Sequence, residues 1–395
     1  MNPNIPWKTR GNGAIALQVG IGNGEKIKIG EIDGKDVFSS KLLRQEPNGK
    51  EYTEIRKIVK KTIEENAKTD DENTNPGFVL LNKQPELNVY RNTVRQIVSL
   101  DKIKSLLNNL KADFQGYKNC RGLIGATSAI AWVPIKDKTF ELISYRQQKN
   151  WGTKRDVNEE SVQKMDNSCK TTFDNYDYKN KHNRLVPNSP CPILYGVRGD
   201  AIEELMRAFS IVRSESVDSW ILFETNQGTD DHLQRKIISN IQRYESVIVE
   251  GSVVKSPYTI EGGHVIFTIK DATGTIDCAA YEPTKEFRNI VRELQMGDIV
   301  EVYGGVRKKP LTINVEKINI KYLTKIVEKI ENPICPNCGK HMKSKGSNQG
   351  FKCKICGRKS DEPLIREKKR LIHIGFYEVP VCARRHLSKP LKRIK

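Results

Sequence analysis

The chain has 395 residues, 37% of them hydrophobic, with 67 Lys+Arg against 48 Asp+Glu and a formal net charge of +19. That length suggests about two to four domains, and the composition is too apolar and too patterned for a wholly disordered chain. The best apolar run, residues 123–135, is short and holds Thr127 and Ser128, and the start has no basic n-region or apolar h-region, so neither a membrane span nor secretion is expected and the location is cytoplasmic.

Residues 1–30 alternate turn signals with strand-like runs such as Ala14-Ile15-Ala16-Leu17-Gln18-Val19. The spacing of Ile55, Ile58, Val59 and Ile63 predicts a helix over 51–67. Val94, Ile97, Val98, Ile103, Leu106 and Leu107 predict another, and Phe140 to Tyr145 a strand. Asp200 stands in for the Ser/Thr of a capping box, ahead of a helix with Ile202, Leu205, Met206 and Phe209 on one face. Strands mixed with separate helices, without strict βα alternation, place residues 1–235 in an α+β class.

Residues 246–323 read differently. Strands are expected at 247–254, at 264–270 (Val265, Phe267 and Ile269 alternating) and at 275–281. A short helix follows over 286–294, then strands at 298–303 and 311–320. Three strands, a helix and two strands is the order of an OB-fold; another small β-barrel is the alternative.

Cys335-x2-Cys338 is followed after fourteen residues by Cys353-x2-Cys356. Two such knuckles supply four thiolates in tetrahedral geometry, which suits a structural Zn²⁺ with no ligand position left for water. Cys120, Cys169, Cys191, Cys278 and Cys382 are scattered, as in a reducing compartment. Residues 332–395 carry 17 Lys+Arg and 4 Asp+Glu, so +13 of the net charge lies at this end. An excess of that kind favours a polyanionic partner. Within it Phe376, Tyr377, Arg384, Arg385, His386 and Lys389 join aromatic to basic side chains, a combination that suits base stacking and phosphate contacts; a solvated tail is the plainer alternative.

Glycine recurs beside arginine in Arg10-Gly11-Asn12-Gly13, Arg121-Gly122 and Arg198-Gly199. A fixed charge next to an approachable backbone suits a phosphate cradle. No GxxxxGK[ST] loop exists, so Lys8, Arg10, Gly11 and Gly13, with Arg121 and Gly122, are the phosphate candidates. Acidic, amide-rich loops occur at 70–77, 172–175 and 225–230. Carboxylates there hold Mg²⁺ or a guanidinium, or else close turns.

Taken in order, these segments resemble the archaeal 2-agmatinylcytidine synthetase (TiaS) family. The resemblance rests on residues 2–14, with Trp7-Lys8-Thr9-Arg10-Gly11-Asn12-Gly13, and on Asp71-Glu72-Asn73-Thr74-Asn75-Pro76-Gly77. It continues through Arg121-Gly122-Leu123-Ile124-Gly125-Ala126, Thr172-Phe173-Asp174-Asn175 and residues 187–199. It ends with residues 258–265, the four cysteines and Gly375-Phe376-Tyr377-Glu378-Val379-Pro380. The resemblance implies a multidomain chain: a kinase-like ATP domain over 1–98, a ferredoxin-like domain over 99–235, an OB-fold over 246–323, and a zinc ribbon with basic tail over 332–395. It implies ATP- and Mg²⁺-dependent attachment of agmatine to C2 of the wobble cytidine of the AUA-decoding isoleucine tRNA, releasing AMP and phosphate. No obligatory protein partner and no membrane are implied. Asp174 or Asp230 is the expected partner of the agmatine guanidinium. The family's Asp-Asp-Thr-Asp strand end and its phosphorylated threonine have no counterpart in this sequence, because Met1 falls where the first motif is already under way. The expectation is an N-terminally incomplete kinase-like domain with impaired catalysis. A non-enzymatic OB-fold and zinc-ribbon nucleic-acid-binding protein is the alternative. A nuclease is disfavoured, since residues 1–235 hold only His182 and His232.

Overall fold

A tight hairpin begins the regular structure. In the computed structural model, which describes residues 13–43, 48–134, 136–347 and 349–394, β1 (Ile27–Ile32) and β2 (Lys35–Ser39) are joined by Asp33 and Gly34. Both have positive φ, 52° and 69°, the conformation an Asp-Gly hairpin turn adopts. Residues 13–19 form no strand; Ile15, Leu17 and Val19 are exposed. Helix α1 (Gly49–Asn66) starts with a capping box: the Asn48 side chain accepts from the Glu51 N–H, and Glu51 accepts from the Asn48 N–H.

The helix expected around 94–107 is two. They are α2 (Leu87–Arg95) and α3 (Leu100–Asn109), separated where Gln96 turns extended. Strand β3 (Gly77–Leu80) pairs antiparallel with β4 (Asp113–Gly116), and α4 (Gly122–Ala131) packs behind them. Val79, Ile103, Leu107 and Leu123 form one core with Val98, Leu100 and Phe114 around it. A boundary at 98/99 therefore cuts a single packed unit. Helix α4 also packs on α2, with Ala131 buried against Tyr90 and Val94.

The next unit contains β5 (Thr139–Arg146), α5 (Glu159–Ser168), β6 (Thr172–Phe173), β7 (Ile193–Gly199), α6 (Ile202–Ile211) and β8 (Val217–Thr225). The sheet order is β2-β1-β8-β5-β7-β6, all antiparallel. Its last four strands have the ferredoxin-like order, and the hairpin of β1 and β2 extends that sheet. Val162 and Met165 of α5 and Leu205 and Ala208 of α6 cover Leu142, Leu194, Val197 and Leu222 on one face. Asp200 does not cap α6. Ala201 holds the cap position without a side-chain bond, and the Asp200 carboxylate turns to Arg393 at 2.7 Å.

The barrel is a closed OB-fold of β9 (Ser246–Ile260), β10 (His264–Lys270), β11 (Thr275–Ala280), β12 (Ile299–Val306) and β13 (Thr312–Tyr322). Strand β9 pairs with both β10 and β12, and β11 closes on β13 in parallel. Helix α7 (Phe287–Arg292) lies between β11 and β12. A further strand, β14 (Gly375–Glu378), adds antiparallel to β13, with Tyr377 opposite Ile318. Residues 372–383 therefore belong with the barrel rather than the ribbon, because Ile372, Tyr377, Val379 and Ala383 pack on the barrel core. No helix among the described residues is long and apolar enough to cross a membrane.

Candidate functional site

The two cysteine knuckles fold alike. The N–H of Gly339 donates to the Cys335 carbonyl at 2.8 Å, and that of Gly357 to the Cys353 carbonyl at 3.0 Å. Both glycines have positive φ, 60° and 72°, which a side chain would resist. The sulfurs of Cys335, Cys338, Cys353 and Cys356 all lie within 4.8 Å of one another. Tetrahedral Zn²⁺ with bonds of about 2.3 Å sets ligand sulfurs roughly 3.8 Å apart, so the set fits that ion. The backbone N–H groups of Cys356 and Ile355 pull the Cys353 thiol down to about 7, whereas the crowding of the other three sulfurs pushes the Cys338 thiol up to about 12. The other five cysteines are unpaired.

Of the phosphate candidates, Lys8, Arg10 and Gly11 lie outside the described residues, and Gly13 stands in open space. Arg121 and Gly122 open α4 directly against the Asn75-Pro76-Gly77 loop. A Cβ on Gly122 would fall 2.4 Å from the Gly77 nitrogen, and one on Gly77 2.9 Å from the Leu123 nitrogen. These two glycines let two backbones meet. Asp71 closes the acidic loop as a turn, accepting from the Asn73 N–H and the Thr74 hydroxyl, and those bonds lower its pKa.

The structure takes the guanidinium candidates and the basic tail together. Asp174, at φ 58°, pairs with Arg384, which also meets Glu378 at 2.5 Å. Asp230, at φ 62°, accepts from the Lys389 N–H at 2.6 Å with one oxygen and from Lys317 Nζ at 2.7 Å with the other. Lys389 Nζ meets Asp137 at 2.9 Å; Arg393 meets Asp137 and Asp200 at 2.8 and 2.7 Å. Arg385 pairs with Glu316 at 2.7 Å, and Glu316 also meets the buried His232 at 3.1 Å. The tail expected to face a polyanion is thus largely neutralised by acids of the body, and the Arg384 side chain is buried among them. Apart from Glu378, those acids lie far away in sequence, so the charge count alone could not reveal the pairing.

Three of the tail candidates remain open: Arg385 at 42% exposure, Phe376 at 36%, and His386. Phe376 lies 6.0 Å from the Tyr303 ring. Tyr377 packs on the barrel, its hydroxyl taking the His373 N–H at 2.8 Å. His386 is reached by solvent, but the positive charge of Arg198 and its surroundings pull its pKa down to about 4, so it is neutral near pH 7. On the sheet behind it Arg198 pairs with Glu141 at 2.9 Å.

Sequence reasoning missed Lys317, the fully buried cation of this junction. Its signal was present: Glu316-Lys317 interrupts the apolar run Ile313, Val315, Ile318, Ile320.

Comparisons with known proteins cover every part of the chain. Family models match as the TiaS TCKD domain over residues 1–119, the TiaS FLD domain over 120–232, an OB-fold nucleic acid binding domain over 247–321 and the TiaS C-terminal zinc ribbon domain over 332–372. The chain is 42% identical over 404 residues to the isoleucine tRNA 2-agmatinylcytidine synthetase TiaS of Methanocaldococcus jannaschii, covering 100% of this chain and 89% of the relative. It is 41% identical over 400 residues to that of Archaeoglobus fulgidus, covering 100% and 87%. It superposes on a crystal structure of TiaS in complex with its isoleucine tRNA and ATP with a TM-score of 0.80 at 38% identity, over 94% of this chain and 90% of that one. For a TiaS complex with the same tRNA, AMPCPP and agmatine the TM-score is 0.77 at 37% identity, over 94% and 89%.

Proposed function

The chain belongs to the TiaS family of isoleucine tRNA 2-agmatinylcytidine synthetases, and from that premise we propose that it joins agmatine to the wobble cytidine of the AUA-decoding isoleucine tRNA, using ATP. The observation that carries the reading is similarity over the whole chain, at 42% identity, to a relative of that activity. The target base leaves the anticodon stack to reach the active site, as base-modifying enzymes require. The γ-phosphoryl of ATP passes to the C2 oxygen, leaving ADP. The agmatine primary amine attacks C2 and gives up a proton as the C–O bond breaks with phosphate leaving, and hydrolysis of the remaining anhydride by water yields AMP and a second phosphate. Attack needs the unprotonated amine. Mg²⁺ accompanies ATP and offsets the charge that develops on phosphoryl transfer. The reaction belongs in the cytoplasm.

Within this reading the Arg121-Gly122 turn lies along the nucleotide phosphates, with Lys8, Arg10, Gly11 and Gly13 completing the cradle. Asp174 is the better proposal for the agmatine guanidinium, because only one of its oxygens is taken by Arg384, whereas both oxygens of Asp230 have partners. Phe376 and Arg385 offer stacking and charge to the tRNA. Zn²⁺ on the four cysteines holds the ribbon in shape.

The test is incorporation of labelled agmatine into the AUA-decoding isoleucine tRNA with ATP present. Incorporation dependent on all three components is expected. Tight tRNA binding without agmatine-dependent ATP turnover would return the non-enzymatic alternative.

A further inference from the structure

A small cleft opens where three parts of the chain converge: α2, the segment following α4, and the turn leading into the barrel. Its polar walls are Tyr90, Arg91, Arg95, Lys136, Asp137 and Asp231. Both acids are already engaged. Asp137 pairs with Lys389 and Arg393 at 2.9 and 2.8 Å, and Asp231 accepts from the Tyr90 hydroxyl at 2.7 Å.

The cations are not. Arg95 donates through Nε alone, to the Asp231 carbonyl at 3.0 Å. Arg91 and Lys136 have no hydrogen bond or ion pair among the described residues. Arg91 and Arg95 stand one turn apart on α2, a like-charge arrangement that destabilises a helix unless something neutralises it. Burial, opposed by Asp231 and reinforced by Arg91, holds the Arg95 pKa below its usual value. Three converging cations with spare donors call for an anion.

Size selects which anion. The cavity volume is about 30 Å³, room for roughly two or three water-sized groups. One phosphate group fits between these walls, and because the cleft opens to solvent the groups esterified to it lie outside.

We propose that Arg91, Arg95 and Lys136 bind a single backbone phosphate of the tRNA in this cleft. The proposal rests on the reading of the chain as a tRNA-modifying enzyme. A phosphate here bridges the N-terminal module to the turn that carries the barrel, and so fixes the register of the tRNA without reading its sequence.

The experiment uses the full chain with Arg91→Ala, Lys136→Ala, the double variant and Arg91→Lys. The dissociation constant for the AUA-decoding isoleucine tRNA is measured across a salt series, alongside KM for ATP and agmatine. Each alanine is expected to weaken binding several-fold, and the double variant to lower the slope of log K against log salt by up to about 0.7–0.9, the share of one phosphate, with each single alanine losing part of it. The lysine variant retains the slope, the two KM values stay put, and thermal stability does not fall, because neither side chain has a protein partner and Arg91→Ala relieves the repulsion of Arg95. Wild-type affinity and slope in the double variant overturn the cleft and leave the enzyme reading intact. A raised KM for ATP with normal tRNA binding also overturns it, assigning the cations to nucleotide phosphate. Failure of the wild-type chain to bind that tRNA overturns both the cleft and the function it rests on.

Discussion

At the residue scale, buried charges decide how the modules join. Lys317 Nζ lies between the Asp230 carboxylate at 2.7 Å and the Lys389 carbonyl at 2.8 Å, 5.3 Å from the centre of the Tyr303 ring. Removing one member of such a pair leaves the other charge without compensation, at a cost of about 3–5 kcal/mol. Lys317→Met is expected to lose that much in urea unfolding, and adding Asp230→Asn to recover most of it. A loss confined to the single variant is the signature of the pair; equal losses in both would point to packing alone. A second buried pair gives a pH signature. Hydrogen bonds from Arg146 hold the Glu215 pKa down to about 2, against burial, from a reference value of 4.5. A depressed carboxylate stabilises the fold above its unfolded pKa, and that contribution fades as pH falls through the folded value. Glu215→Gln should therefore be less stable than wild type by roughly 2–4 kcal/mol at pH 7, with the gap closing between about pH 4.5 and 2. A gap that persists at pH 2 would assign the loss to the Asn150 and Asp156 contacts of the same carboxylate.

At the element scale, the ribbon depends on its metal more than on its core. Cys335, Met342, Phe351 and Cys353 are its only buried hydrophobic cluster among the described residues, and two of the four are ligands. So small a core does not fold unaided. Chelation, or Cys353→Ser, should open residues 332–372 to protease while the barrel resists, read as a large N-terminal fragment together with a small C-terminal one that keeps its place on the barrel. The glycine turn behind α4 carries another prediction. Gly122→Ala places a methyl against the Gly77 and Pro76 backbone, and because backbone cannot yield as a side chain does, about 2–4 kcal/mol is expected to be lost. Circular dichroism melts of the variant measure this. The regular elements were largely legible in the sequence. The OB strands and their intervening helix follow from alternation, the CxxC knuckles from spacing, and α1 from its apolar face. The break between α2 and α3 was not legible, because the apolar spacing runs on across Gln96 while the backbone turns there to pack two helices on one core.

At the scale of the molecule, the basic end works as a strap. Residues 384–393 reach from the barrel edge to the ferredoxin-like sheet, pairing with Asp174, Asp137 and Asp200 on one side and Glu316 and Glu378 on the other. The Lys392 ammonium also donates to the Thr172 carbonyl at 2.6 Å. Ending the chain after Ala383 is expected to uncouple the two modules: calorimetry should resolve separate transitions, with the ferredoxin-like one lowered by roughly 2–4 °C for each kcal/mol removed. A single unshifted transition would mean that the strap contributes nothing to their coupling.

The sequence by itself determined whatever short-range chemistry dictates: the metal knuckles, the barrel's strand order, and, through ordered motifs, the family. Tertiary structure alone decided where the charge goes. The +13 of residues 332–395 reads as a surface for a polyanion, yet Arg366, Arg370, Arg384, Arg385, Lys389 and Arg393 are bound to acids 6 to 256 residues away. Ion pairs form by proximity in space, and sequence carries no distance between a charge near the C-terminus and an aspartate at position 137. The same reason hid the cleft: Arg91 and Arg95 are an unremarked helical pair until folding brings Lys136 beside them and leaves all three facing one small space.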